Sequence, residues 1–412
     1  MPAVSFTNLL VVAAVAVLAP LTVGYFPRLR IPAVVLEIIG GIIIGPSVLG
    51  WVHVDLPVSI LALFGLAFLL FLAGLEIDVH RLRGRLLRYA VLGYLVSLVL
   101  GYGASASFTA AGWISQPLLL AIALSATSLG LVVPVLKDAG QVRSEVGQSA
   151  LAAASIADFG AIVLLSLFFS SSGGSTGAKV VVLGAFAGLV AVTGLVISGT
   201  ARSMRLGQVL VRLQDTTAEI RVRFAVLLLV AFTALAARFG LESILGAFLA
   251  GAIVGLVDRD SSSHPRFRIK LEAIGYGFLV PVFFVSSGIR LDLTGLLHSP
   301  SALVRVPVFL LALLMVRGLP ALLGLRANGT RSTLALGLLQ ATSLPFIVTA
   351  TQIGVALGKI TPVTAAALVC AGLLSVMIFP LLALTLLRGE PKPAEPEPAV
   401  AAADPVPEPH LM

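Results

Sequence analysis

The chain alternates between long apolar runs and short polar or basic connections. A helix needs ~20 mostly apolar residues to cross a bilayer, and runs of about this length recur almost to the end of the sequence. They predict thirteen membrane-spanning helices, at residues 7–26, 31–51, 57–77, 88–112, 117–136, 146–171, 178–199, 222–239, 243–257, 271–289, 302–325, 332–356 and 363–387. Residues 389–412 are rich in Pro, Ala and Glu, which predicts a disordered cytoplasmic tail.

The composition supports a membrane protein and excludes most soluble classes. Of the 412 residues, 58% are hydrophobic and only 11% are charged, whereas roughly 25% are charged in an ordinary globular protein. A soluble chain cannot bury that much apolar surface. A secreted domain, a soluble enzyme and a nucleic-acid-binding protein are therefore excluded, in spite of the net charge of +8. The single cysteine and five scattered histidines have no metal-ligand spacing, so we expect no cofactor.

The basic residues predict how the spans are oriented. If the odd-numbered connections and the C-terminus face the cytoplasm, they contain 21 of the 27 Lys and Arg residues. The even-numbered connections then contain five, and Arg317 lies inside a span. Because cytoplasmic loops carry the excess of Lys and Arg, this distribution favours an N-terminus outside and a C-terminus in the cytoplasm. We expect a multi-pass protein in the lipid bilayer of the cell membrane.

A short string occurs twice and predicts an internal repeat. Residues 124–129 in span five and 339–344 in span twelve both read L-x-A-T-S-L. These spans are seven helices apart and cross in opposite directions, as in an inverted-topology repeat. Each string precedes a proline, Pro134 or Pro345, and small polar residues with proline weaken a helix. We expect both helices to be broken in mid-membrane, where free carbonyls line a cavity or bind an ion. The alternative is ordinary hydrogen bonding of Ser and Thr to the helix backbone.

Three charged residues lie well inside predicted spans, away from the span ends: Glu37, Asp158 and Arg317. Such residues cost ~2.5–3.5 kcal/mol at the bilayer centre and are functional by default. Asp158 lies about 18 Å into span six and therefore near the midplane, where a carboxylate can hold a proton or a bare monovalent cation. The alternative is a structural acid that is permanently paired with Arg317. Arg317 needs a buried partner, either Asp158 or the carbonyl ends of a broken helix. Glu37 lies ~9 Å from the cytoplasmic end of span two, which favours a structural or entrance role.

Four motifs resemble those of the monovalent cation/proton antiporters, in the branch of the Kef-type and NapA-type proteins. They read IP at 31–32 with Glu37 and GGIIIGPSVLG at 40–50, FLLFLAGLE at 68–76, LGAFLAG at 245–251 and PVFFVSSG at 281–288. They stand in the family's order, and the resemblance covers residues 10–387.

The resemblance implies an NhaA-like fold with thirteen helices. Spans five and twelve would be two crossed, broken helices in a core of about residues 88–171 and 302–387, and the other helices up to residue 388 would form the dimer scaffold. The family's ion-binding aspartate aligns with Asp158, and its unwound segment with Ala126, Thr127 and Ser128. The family's buried basic residue aligns with Arg317. The resemblance also implies a homodimer.

Two positions depart from the family pattern. Relatives commonly have Asp, Asn or Gln before the binding aspartate, whereas this chain has Ala157. A single acid with an arginine resembles the electroneutral arrangement, in which one cation exchanges for one proton. Relatives also carry a charge in the second broken helix, whereas this chain has uncharged residues at 341–343.

We therefore expect a secondary active antiporter that moves Na⁺ or K⁺ against H⁺ by alternating access, and not an enzyme. Asp158 would bind the cation or the proton, and Thr127, Ser128 and the carbonyls near Ala126 would complete the oxygen shell. Further candidates are Ser155, Thr342 and Ser343. Two other readings remain open: a Kef-type gated K⁺ efflux channel, for which a separate cytosolic regulatory subunit is a possible partner, and a sodium-coupled organic anion symporter. A non-transporting membrane sensor is the plainest alternative.

Overall fold

The protein is built from helices. A computed structural model describes residues 5–26, 32–76, 84–138, 140–142, 144–169, 176–201, 219–257 and 265–387, and every regular element in this part of the chain is helical. Within it, nine helical segments are long and apolar enough to cross a membrane, and four shorter apolar helices accompany them at Ala33–Ile44, Pro117–Val133, Lys179–Leu195 and Ser243–Leu256. The predicted all-helical, multi-pass membrane protein is confirmed. The count of thirteen spans stays a prediction, and the predicted tail lies outside the described residues.

The described helices follow one another along the chain in this order. They are α1 Thr7–Tyr25, α2 Ala33–Ile44, α3 Leu56–Leu75, α4 Gly84–Ala110, α5 Pro117–Ser125, α6 Leu129–Asp138, α7 Glu145–Phe169, α8 Thr176–Ala201, α9 Ile220–Arg238, α10 Ser243–Val257, α11 Pro265–Ile274, α12 Val280–Ile289, α13 Leu293–Leu297, α14 Pro300–Leu313, α15 Leu325–Gln340, α16 Pro345–Ala356 and α17 Pro362–Leu387. A π-helical turn, Gly275–Leu279, joins α11 to α12. A second π-helical turn, Leu314–Gly318, and a 3₁₀ segment, Leu319–Gly324, join α14 to α15.

Two of the helical paths are interrupted where the repeated string lies. Residues 126–128 separate α5 from α6, and residues 341–344 separate α15 from α16. Pro345 opens α16, where its missing N–H and fixed φ suit the first turn of a helix. Pro134 differs, because it lies inside α6 and beyond the first interruption. The small polar residues rather than Pro134 therefore coincide with the first break.

The helices pack as two bundles. One, the repeat bundle, contains α4–α7 and α14–α17, in which α4 packs on α5 and α7, and α17 packs on α14 and α15. The other, the flanking bundle, contains α1–α3 and α9–α12, in which α10 packs on α3 and α9, and α12 packs on α2 and α3. The two bundles share few contacts with each other by comparison, so their boundary is a surface along which they could move.

Glycines of the family motifs set the close packing of the flanking bundle. A side chain at Gly41 of α2 would collide with the backbone of Val285 in α12, and one at Gly251 of α10 would collide with that of Phe71 in α3. Small residues allow helix backbones to approach closely in a membrane, where packing rather than burial from water holds helices together. These motif positions therefore serve the packing of the flanking bundle.

Candidate ion-binding site

The two interruptions meet in the middle of the repeat bundle. The backbone N–H of Ser128 donates to the carbonyl of Thr342 (3.0 Å), and the Thr127 hydroxyl donates to the carbonyl of Gln340 (2.7 Å). An interrupted helix leaves backbone groups without their usual partners, and these must be satisfied where no water is present. Each break thus supplies some of the hydrogen bonds that the other has lost.

Arg317 holds the place where the two breaks meet, because it is hydrogen-bonded to Thr127 of the first break. It is 1% exposed and lies in the π-helical turn Leu314–Gly318. Its Nε donates to the Thr127 hydroxyl (2.8 Å), its Nη1 to the Ser97 hydroxyl (3.0 Å) and its Nη2 to the Ala153 carbonyl (3.4 Å). A π-helical turn is rare and often marks a functional site. Here it brings the side chain of Arg317 to the first break.

Asp158 lies on the other side of the first break. It belongs to α7, is 8% exposed, and accepts a hydrogen bond through Oδ2 from the backbone N–H of Leu129 (3.3 Å). Leu129 opens α6, so the carboxylate faces a helix N-terminus, which favours negative charge. No ion pair joins Asp158 to Arg317 in the described residues. The two charges flank the same break without neutralising each other by contact.

A cavity of about 50 Å³ lies beside Asp158, between the two bundles. Thr127, Ser128 and Asp158 line it from the repeat bundle, and Val34 and Tyr276 are among the residues that line it from the flanking bundle. Oxygen atoms are the ligands of monovalent cations such as Na⁺ and K⁺. The cavity wall offers a carboxylate from Asp158 and hydroxyls from Thr127 and Ser128. The Ser128 hydroxyl makes no hydrogen bond to the described part of the chain. The Thr127 hydroxyl keeps one lone pair after accepting from Arg317.

The other two predicted site residues of α7, Ser155 and Ala157, are buried, and neither offers a free polar group to the cavity. The Ser155 hydroxyl donates to the carbonyl of Leu151 (2.8 Å), one turn earlier. Ala157 is fully buried and has no polar side-chain atom. Neither residue lines the cavity beside Asp158.

The second break is also buried and does not face this cavity. The Thr342 hydroxyl donates to the carbonyl of Leu338 (3.1 Å). The Ser343 N–H donates to the Ser375 hydroxyl (3.2 Å), whose own proton is shared between the carbonyls of Gly372 (2.7 Å) and Ser343 (3.2 Å). The Ser343 hydroxyl itself has no hydrogen-bond partner among the described residues. Pro345 and Phe346, directly after the break, do reach the cavity.

Glu37 is buried away from the other candidates. It lies in α2 of the flanking bundle, and one of its carboxyl oxygens, Oε2, has no hydrogen-bond partner. Val34, one turn earlier, lines the cavity, whereas Glu37 does not. The structure therefore does not bring Glu37 to the same place as Asp158.

Two residues that contribute to the site have no clear signal in the sequence. Ser97 receives a hydrogen bond from Arg317, but it is one of many single hydroxyls in apolar runs. Tyr276 comes to the cavity from the flanking bundle, and it lies outside the four motifs. Tyr276 lies in the π-helical turn Gly275–Leu279, and the sequence does not predict that turn.

A multi-pass helical protein with two interrupted helices that meet beside buried charges has the architecture of secondary transporters with discontinuous helices. The chain belongs to the sodium/hydrogen exchanger family: the family model for the sodium/hydrogen exchanger transmembrane domain matches residues 13–388. This membership confirms the resemblance predicted from the four motifs. It also confirms the expectation of a membrane transport protein rather than an enzyme, and this family needs no cofactor.

Several proteins of this family are similar to the chain. YjbQ of Bacillus subtilis (strain 168) is 33% identical over 410 residues, which cover 95% of this chain and 64% of YjbQ. The Na(+)/H(+) antiporter of Enterococcus hirae is 29% identical over 64% of this chain and 68% of its own length. The Na(+)/H(+)-K(+) antiporter GerN of Bacillus cereus is 29% identical over 65% of this chain and 68% of its own length.

The fold is similar to that of a solved structure as well. The sodium proton antiporter MjNhaP1 from Methanocaldococcus jannaschii superposes with a TM-score of 0.66 at 21% identity, over 92% of this chain and 98% of that one. This likeness shows a shared helical fold.

Proposed function

We propose that this chain is a cation/proton antiporter that exchanges Na⁺ or K⁺ for H⁺ at Asp158. One observation carries the proposal: a buried carboxylate, which forms no ion pair with the described residues, lines a cavity at the meeting point of two interrupted helices. The family and the names of its relatives support the reaction class. GerN is named for both Na⁺ and K⁺, so both ions are candidates.

Competition at one carboxylate couples the two fluxes. Asp158 holds either a proton or a cation, because both neutralise the same charge. Arg317 stays charged throughout, since its guanidinium cannot be deprotonated under ordinary conditions. The loaded site then has the same net charge with a proton as with a monovalent cation. Exchange is therefore electroneutral, with one cation for one proton.

The cation is bound by oxygen atoms of the first break. The Asp158 carboxylate supplies the charge, and the Ser128 and Thr127 hydroxyls line the same cavity. The carbonyls near Ala126 complete the shell where the backbone is extended. Arg317 is a positioning residue, since it holds the Thr127 hydroxyl in place (2.8 Å).

The repeat bundle is the moving core and the flanking bundle is the scaffold. The thirteen predicted runs all cross the membrane, with the N-terminus outside, and the two interrupted helices are the crossed pair of the family. Motion of the core along the scaffold carries Asp158 from one side of the membrane to the other, as in an elevator. The scaffold forms a homodimer, which is consistent with the large exposed apolar side chains of α1.

Proton flux in proteoliposomes tests the proposed function. A pH gradient is imposed, and Na⁺, K⁺ or Li⁺ is added to wild type, Asp158→Asn and Glu37→Gln, with the membrane potential clamped or free. We expect cation-evoked proton flux that is indifferent to the potential, is lost in Asp158→Asn and is retained in Glu37→Gln. Glu37 is the matched control, because it is a second buried acid that does not line the cavity.

Three outcomes would contradict the proposal. Full exchange by Asp158→Asn would show that the carboxylate is not the shared site. Flux that follows the membrane potential would exclude the electroneutral stoichiometry. Channel-like K⁺ currents, or Na⁺-dependent uptake of an organic anion without proton flux, would favour the other two transport mechanisms.

A further inference from the structure

A second cavity lies at the boundary of the two bundles. It has a volume of about 320 Å³ and is lined by Ser287 and Arg290 at the end of α12, and by Val348, Thr351 and Gln352 of α16, among others. Asp158 does not line it. The boundary thus has two separate openings, and only the smaller one reaches the buried carboxylate.

The two cavities lie towards opposite ends of the helices. Gly65, in the middle of α3, packs on Leu279 and Phe283, whereas Gly275 packs on Leu72 near the end of α3. The path through α11 and α12 therefore runs antiparallel to α3. Ser287 lies at the end where α3 begins, and Tyr276 lies at the end where α3 stops. The second cavity belongs to the first of these ends, and the cavity of Asp158 opens towards the other.

A buried layer separates the cavities. Phe284 and Phe346 line the cavity beside Asp158, Val348 lines the second cavity, and Ile347 lies between the two positions in α16. All four residues are at most 5% exposed. An ion cannot pass such an apolar layer without oxygen ligands, so the layer must part before Asp158 can exchange with the second cavity.

A hydrogen bond joins the two bundles next to this layer, on the side of the second cavity. Gln352 Nε2 of the repeat bundle donates to the Ser287 hydroxyl of the flanking bundle (3.0 Å), and that hydroxyl donates to the Phe283 carbonyl (2.7 Å). Gly251 of α10 packs on Phe71 of α3 and Gly255 packs on Leu75, so α10 runs parallel to α3 and begins at the same end. A second link lies there, because the Glu242 N–H donates to the Ser166 hydroxyl of α7 (3.1 Å). Both links therefore hold the bundles together at the end opposite to the opening beside Asp158.

We propose that Gln352 and Ser287 form the latch of a gate that closes the second cavity off from Asp158, and that their hydrogen bond breaks once in every transport cycle. The inference rests on the proposed antiport function, because it requires motion of one bundle against the other. Under the proposed orientation this is the outer gate, and the structure has it closed. Ser287 and Gln352 are thus positioning residues for the access step and do not bind the ion.

Cross-linking tests the latch. Cys370, the single native cysteine, is first replaced by Ala, and Ser287→Cys and Gln352→Cys are introduced together. A short reversible bis-methanethiosulfonate reagent then joins the two thiols in proteoliposomes. We expect cation-evoked proton flux before cross-linking, loss of most of this flux afterwards, and recovery when a reductant is added.

A matched pair within one bundle is the control. Ser115 and Lys359 both belong to the repeat bundle and are hydrogen-bonded to each other (2.8 Å) in two connections between its helices. Ser115→Cys with Lys359→Cys should keep its flux when it is cross-linked. Undiminished flux through cross-linked Ser287→Cys/Gln352→Cys would overturn the latch. Absence of flux in the Cys370→Ala parent would instead count against the proposed antiport function.

A second measurement does not depend on activity. Phe346→Cys, in the Cys370→Ala background, places a thiol in the wall of the cavity beside Asp158, beyond the closed gate. Adding Gln352→Ala removes the latch, and the loss of one such hydrogen bond shifts the equilibrium between closed and open gate by about two- to tenfold. We expect a membrane-impermeant thiol reagent, added from the side of the second cavity, to label Phe346→Cys faster by that factor. An unchanged labelling rate would contradict the latch even if the double-cysteine variant does not fold.

Discussion

The two interrupted helices contain the same string but have different surroundings. At the first break, Thr127 and Ser128 line a cavity with Asp158. At the second break, Thr342 is bonded to its own helix, and the Ser343 backbone is held by Ser375. The repeat therefore duplicates the backbone interruption, whereas the groups that could bind an ion face the cavity at only one of its copies. Two copies of one string can thus each interrupt a helix without providing two equal half-sites.

Removing Arg317 should have the largest effect on stability. Its guanidinium makes three hydrogen bonds to buried groups of the repeat bundle. We expect Arg317→Met to leave the Thr127 and Ser97 hydroxyls without this donor and to cost about 3 kcal/mol or more, since hydrogen bonds to charged groups contribute 1.5–3 kcal/mol each. Thermal unfolding in detergent measures the loss. Arg290→Met is the control, because Arg290 is exposed, and an equal loss in both variants would contradict the role of Arg317.

Two replacements of Thr127 distinguish the contribution of its hydroxyl from that of its side-chain volume. Thr127→Val keeps the volume but leaves Arg317 Nε and the Gln340 carbonyl without their partner, at a cost of about 1–3 kcal/mol. Thr127→Ser keeps the hydroxyl and should stay close to wild type in thermal stability and in exchange. If Thr127→Val were as stable as Thr127→Ser, the hydrogen bonds between the two breaks would not hold the site together.

The two serines of the repeated string give the sharpest contrast in binding. Ser128→Ala removes a hydroxyl from the cavity, so we expect the apparent affinity for the transported cation to fall about five- to tenfold, as for one lost hydrogen-bonding group. Ser343→Ala removes a buried hydroxyl that has no partner. It should leave the affinity unchanged and stabilise the protein slightly. The concentration dependence of proton flux measures both, and equal losses of affinity would contradict the inequality of the two breaks.

Ser155→Ala should have the smallest effect. The Ser155 hydroxyl bonds only to the carbonyl one turn earlier in α7 (2.8 Å), an interaction that contributes little to a helix. We expect exchange and thermal stability close to those of wild type, measured in the same assays as for Ser128→Ala. A marked loss of cation affinity would mean that Ser155 turns towards Asp158 in another state of the cycle.

The sequence predicts the fold and part of the site. Long apolar runs predict the helices because the length of a span is set by the bilayer, and the depth of Asp158 follows from its place in such a run. The repeated string marks both interruptions. Pro134 was a misleading signal, because it lies inside α6 rather than at the break.

The remaining features depend on packing between distant segments. Sequence reasoning offered Asp158 or broken-helix carbonyls as partners for Arg317, whereas the contacts are two hydroxyls and one carbonyl of α7. The difference between Ser128 and Ser343 has no signal in two strings that differ only at their second position. Tyr276 reaches the cavity only because the flanking bundle packs there. The local pattern indicates where a helix is interrupted, and only the tertiary contacts decide which break faces the cavity beside Asp158.

Cation binding measured as a function of pH is the most direct test of competition at Asp158. Purified protein is titrated with whichever of Na⁺ or K⁺ supports exchange, at a series of pH values. If one proton and one cation compete for one carboxylate, the apparent Kd should rise about tenfold for each unit of decreasing pH once the site is mostly protonated. Asp158→Asn should show no such binding. A Kd that does not change with pH, or one that rises about a hundredfold per unit because two protons are displaced, would contradict competition at a single site.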